Sequence, residues 1–146
     1  FPEISKIDKE NTGTLKNMLK HYRWITISKF GKEADGNAWL ITQHADLDKP
    51  FQDSVLATLK TLYKTGETNK KSYAYLYDRV NINEGKPQKY GTQIACTTVG
   101  TMVVAKPYPI EDRKNLDKRR KAMNMKPVSF EKYFKMAKHG CKDMLG

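Results

Sequence analysis

The sequence predicts a mainly α (α+β) fold: a single domain over residues 1–146, with about five helices and one small β-hairpin. Apolar side chains recur at helical spacing from Leu15 to Val80. Between Ile94 and Ala105 the pattern switches to β-branched runs around Gly100. The 146 residues amount to one domain's worth of chain, and two Trp, eight Tyr and five Phe can seed a core despite a mean hydropathy of −0.74.

Asn11-Thr12 opens the first helix, whose face is Leu15, Met18, Leu19 and Tyr22 at i, i+3, i+4 and i+7. Trp24 to Ser28 is short and β-branched, and reads as an extended connector. Helical spacing resumes over Gly31 to Ala45, with Ala34, Ala38, Trp39, Ile41 and Ala45 apolar. Asp46-Leu47-Asp48 caps the next helix, and Pro50 suits its first turn. Phe51, Val55, Leu56, Leu59, Leu62 and Tyr63 form the cleanest apolar stripe, which Gly66 ends. Asn69 caps a helix carrying Tyr73, Leu76, Tyr77 and Val80, stopped near Glu84-Gly85 ahead of Pro87. Ile94–Val99 and Met102–Ala105 pair as the hairpin, and Pro107 and Pro109 close it off. Asp112 or Asn115 starts a charged helix reaching about Met123. Ser129 caps a last helix, with Phe130, Tyr133, Phe134 and Ala137 on its apolar face.

The chain carries 27 Lys and Arg against 16 Asp and Glu, a net charge of +11. Residues 1–48 are neutral, residues 49–110 carry +5 and residues 111–146 carry +6, densest at Lys118-Arg119-Arg120-Lys121. A localised basic face attracts phosphate backbones, anionic membranes or acidic partners. Here the excess is mostly isolated lysine without interleaved aromatics, so general surface charge is the simpler reading and nucleic acid a weaker one. No apolar run approaches the roughly 18 residues of a membrane span. Cys96 and Cys141 are too few for a disulfide-dense scaffold, and whether they pair stays open. No CxxC or paired-His spacing calls for a metal, and no cofactor motif such as GxxxxGK[ST] or GxGxxG is present. Phe1 in place of Met points to a processed or excised chain, and bacterial cytoplasm and export both remain open.

Four polar clusters stand out. Gln43-His44-Ala45-Asp46 ends an apolar helix. A histidine such as His44 suits a general base or an anion ligand, whereas the plainer reading is a helix C-terminal His that favours the dipole. Asp46, two residues on, cannot face His44 within a helix. Tyr75, Asp78 and Arg79 share one helical face, offering an anion clamp or simply an intrahelical ion pair. Lys86-Pro87-Gln88-Lys89-Tyr90-Gly91-Thr92-Gln93 is the most distinctive stretch, a hydrogen-bonding loop between helix and hairpin. Asp117 and Arg120, at i and i+3, read as a surface ion pair. Cys96, in an apolar β run without an adjacent His, reads as structural.

These motifs together resemble an uncharacterised bacterial family, a domain of unknown function. The signatures are Gln43-His44-Ala45-Asp46, Ala74-Tyr75-Leu76 with Asp78-Arg79-Val80, Lys86-Pro87-Gln88 with Tyr90-Gly91-Thr92-Gln93, and Pro109-Ile110-Glu111-Asp112 with Asp117 and Arg119-Arg120. They span about residues 24–135. Ile25 stands after Trp24 where the resemblance leads one to expect Pro, and the hairpin is longer and more apolar than usual. The resemblance implies that the Gln-, His-, Asp-, Arg- and Tyr-rich signatures form a shared polar site. His44, Asp78 and Tyr90 are then the candidate catalytic residues, and Gln43, Arg79, Gln88 and Gln93 the candidate ligand-binding ones. The corresponding function is binding of a small polar or anionic ligand, with hydrolase or transferase chemistry through His44 as general base. Two alternatives stand beside it: a nucleic-acid-binding module on the basic region 111–142, and a protein-interaction or toxin-like module docking through the hairpin around Val99–Val104.

Overall fold

The computed structural model describes residues 2–145, with side chains through Met144. It is mainly α with one two-stranded antiparallel sheet, as expected, but among the described residues there are seven helices rather than five. The first helix, α1, spans Pro2–Met18 and starts well before Asn11. Pro2 suits a first helical position and Glu3 favours the positive end of the dipole. Thr12 is no cap: it is buried in mid-helix and its hydroxyl donates to the Asp8 carbonyl. The expected connector after Trp24 contains a further short helix, α2 (Ile27–Phe30).

α3 (Lys32–Gln43) follows Gly31, whose φ of +90 lies in the region that glycine favours. α4 (Lys49–Leu62) is placed as its signals require, with Asp48 accepting from the Phe51 amide at 3.2 Å and Pro50 in the first turn. Gly66, at φ +77, ends the 3₁₀ turn that follows. α5 spans Lys70–Asn83, and Asn69 Oδ1 accepts from the Lys71 amide to cap it.

Asp48 also accepts from Lys16 Nζ at 2.7 Å, and this hydrogen bond, together with the cap, holds its carboxyl below the ordinary value of 3.8. A depressed native pKa means the unfolded chain binds the proton first. The stabilisation is therefore present above about pH 3.8 and is lost as the pH falls through the native value. Lys16 is half-exposed, so solvent screens the ion pair and the net stabilisation is small. Asp48→Ala should cost about 1 kcal/mol at neutral pH in chemical denaturation, with the difference from wild type shrinking towards pH 3.

β1 (Ile94–Val99) and β2 (Met102–Pro107) pair from Ile94↔Pro107 to Val99↔Met102, with Gly100 at φ +63 in the two-residue turn. A 3₁₀ turn at Arg113–Asn115 leads into α6 (Leu116–Ala122). α7 (Phe130–Leu145) is capped by Ser129 Oγ, which accepts from the Lys132 amide.

The chain divides into two compact units, Phe1–Leu76 and Tyr77–Gly146. In the first, α3 packs against α1, α2 and α4 around Leu15, Trp24, Ala38, Val55 and Leu59. In the second, α7 packs against both strands and α6, and Leu116, Met123, Met125 and Phe130 are buried. Cys96 of β1 and Cys141 of α7 form a disulfide, so the pairing left open by the sequence is made. No helix among the described residues is long and apolar enough to cross a membrane.

Candidate functional site

The second unit gathers five of the seven candidate residues around the loop between α5 and β1. Asp78, on α5, is fully buried. Its Oδ1 accepts from the amides of Lys89 (2.8 Å) and Tyr90 (3.1 Å). Its Oδ2 accepts from the Thr92 amide (3.0 Å) and hydroxyl (2.8 Å). Burial pushes this carboxyl above the usual carboxylate range, and the bonds from Thr92, Lys89 and Tyr90 pull it back down.

Gln88 is also fully buried, and both ends of its amide are used. Oε1 accepts from the Gln93 amide at 2.8 Å, while Nε2 donates to the carbonyls of Gln93 and Tyr108 at 2.9 and 3.0 Å. Gln93 in turn accepts from Arg79 Nη1 at 3.2 Å and donates to Thr92 Oγ1 at 3.0 Å. Tyr90 meets Tyr77 edge to face, with ring centroids 5.9 Å apart.

The arginines of α6 complete the loop's anchorage. Arg119 Nε donates to the Lys89 carbonyl at 2.8 Å. Arg120 is a correction to the sequence reading: it is no surface group but fully buried. It donates to the carbonyls of Tyr90 (2.8 Å), Pro127 (2.8 Å) and Val128 (3.0 Å), with its guanidinium 4.6 Å over the Tyr133 ring. Asp117 caps α7 instead, accepting from the Phe130 amide at 2.9 Å. The Tyr133 hydroxyl donates to the Thr92 carbonyl at 2.8 Å. A loop of irregular backbone is stable in a folded unit only when its polar groups are paired, and here side chains from α5, α6 and α7 pair them.

Gln43 and His44 belong to the first unit. Gln43 Nε2 donates to the Tyr75 carbonyl at 3.3 Å, and its buried Oε1 has no hydrogen-bond partner among the described residues. Gln52, buried on α4, donates to the Thr42 carbonyl and to Asp46 Oδ1 and so fixes the turn after α3. A buried aspartate that the sequence reading missed, Asp35, ties this unit together. It accepts from Trp24 Nε1 (2.7 Å), Thr68 Oγ1 (2.6 Å) and the Asn69 amide (3.2 Å).

His44 follows the last turn of α3 and is exposed. It lines a groove of about 970 Å³, whose walls are one face of α1 and the turn from His44 to Asp48. From α1 come Ser5, Lys6, Asp8, Lys9, Gly13 and Lys16, and from the turn Asp46, Leu47 and Asp48. Of the three acids, two are already engaged: Asp48 with Lys16 and the α4 cap, Asp46 with Gln52. The α1 contribution was missed because the helix was expected to begin at Asn11, although Ser5, Lys9, Gly13 and Lys16 do recur at helical spacing.

A family model described as a family of unknown function, DUF6624, matches residues 1–142. No curated protein matches the chain, and no solved structure does. The match covers nearly all of the sequence, and the chain belongs to this family.

Proposed function

We propose that this member of DUF6624 binds a small ligand bearing a carboxylate or phosphate in the groove between α1 and the turn after α3. The observation that carries the reading is the exposed His44 imidazole in a groove of about 970 Å³ that also presents Lys6 and Lys9. Lysine and imidazole donors attract an anion, while Ala45 and the 97% exposed Leu47 offer apolar contact to the rest of the molecule. Gly13 lies on the same wall, and a Cβ there would meet nothing within 4 Å, so the position has room for a longer side chain that would reach into the groove.

Hydrolysis or group transfer in this groove would draw on His44 as general base. Asp78, Gln88 and Gln93 spend their polar atoms on the loop of the second unit, which favours the groove as the place of ligand contact. Inorganic phosphate and acetate are suitable probes in isothermal titration. His44→Ala and Lys9→Gln should each weaken binding about tenfold. Gly13→Gln should abolish binding while the circular dichroism spectrum stays unchanged. Wild-type affinity in all three variants would refute the assignment.

A further inference from the structure

We infer that the solvent face of α7 is a docking surface for an anionic phospholipid bilayer. Lys132, Lys135, Lys138, His139 and Lys142 are all exposed, and at about 100° per residue they fall within one third of the helix circumference. The opposite face carries Phe130, Tyr133, Phe134 and Cys141 and packs against α6 and the hairpin. Of the acids on this helix, Glu131 falls within the stripe but is paired with Arg113, and Asp143 sits at the stripe's edge. The apolar face is used inside the unit, so it is the exposed lysine stripe that offers charge complementarity to an anionic surface.

An apolar neighbour decides between a bilayer and a nucleic acid. Met136, 63% exposed, lies one turn from both Lys132 and His139, beside the basic stripe. A phosphate backbone has no use for this thioether, whereas the interfacial region of a bilayer takes it up. The stripe holds four lysines and one histidine without Arg, Phe, Tyr or Trp, so it is poor in the bidentate and stacking groups with which nucleic acids are read.

The test is co-sedimentation of the full chain with vesicles of phosphatidylcholine alone and of equimolar phosphatidylcholine and phosphatidylglycerol. Each lysine near an anionic leaflet is worth about fivefold in binding. The triple variant Lys135→Gln, Lys138→Gln, Lys142→Gln should therefore lose about a hundredfold on the anionic vesicles. Met136→Ser should weaken binding without changing its dependence on salt. All these positions are exposed, and circular dichroism verifies that the variants fold. Should a variant fail to fold, a salt series on the wild-type protein decides, since the binding must weaken as the charges are screened. Equal binding to the neutral vesicles, or binding indifferent to salt or to the triple substitution, would overturn the proposal. So would preference for duplex DNA over the anionic vesicles with Met136→Ser silent.

Discussion

Asp78→Ala is expected to lower the stability of the protein by about 4 kcal/mol, the largest effect of any single polar substitution considered. Removing the carboxylate orphans the amides of Lys89, Tyr90 and Thr92 and the Thr92 hydroxyl in one step. Each buried donor left unsatisfied costs about 1–3 kcal/mol, and water reaching the opened loop recovers part of that. Asp78→Asn keeps the shape but turns an amino group towards donors, and should still cost about 3 kcal/mol. In thermal unfolding, both variants should fall on the order of 10 °C below wild type. Hydrogen exchange should quicken first at residues 88–92. A role for Asp78 confined to a ligand would leave both melting temperatures where they are, and that outcome would contradict the positioning role.

Gly91→Ala is expected to cost about 3 kcal/mol, from two independent sources. Gly91 has a φ of +68, a conformation that costs an L-residue about 1–2 kcal/mol. A Cβ at this position would also stand 2.7 and 2.8 Å from ring carbons of Phe130 and 3.3 Å from Leu116. Phe130 is buried beneath the loop, so its ring cannot swing into solvent. Gly85 provides the control. Its φ is +73, but nothing lies within 4 Å of the site of its Cβ. Gly85→Ala should therefore cost only the conformational part, about 1 kcal/mol. Equal losses at the two glycines in urea denaturation would remove the Phe130 contact from the explanation.

What could be read in the sequence follows from how local each signal is. The hairpin was readable because β-branched runs on either side of Gly100 have no helical reading. α4 was readable because Asp48, Pro50 and Gly66 mark its ends in the chain itself. The early start of α1 was not, since its first ten residues hold Ile4 and Ile7 exposed and build no core stripe. The polar signatures stand out by residue type, but their partners lie at a distance. Asp78 meets groups 11 to 14 residues away, and Arg120 reaches Tyr90 across 30. Side-chain types and spacing state that such residues will bond to something. They do not state whether that something is the chain's own backbone or a ligand.

Asp35 shows the same limit from the other side. Nothing in Glu33-Ala34-Asp35 marks it, yet it accepts from Trp24, Thr68 and Asn69, brought together only by folding. The buried aspartates of the two units thus do similar work on different loops. His44, by contrast, was recognisable by type alone, and the groove in which it stands depends on a helix that the apolar pattern did not reveal.

The most direct measurement is a titration of the isotopically labelled full chain with inorganic phosphate, followed by amide and side-chain chemical shifts. Saturable shifts are expected at His44, Lys6, Lys9 and Gly13, and they should vanish in His44→Ala. Shifts gathered instead at Arg79 and residues 86–93, with the groove silent, would contradict the assignment of the ligand site.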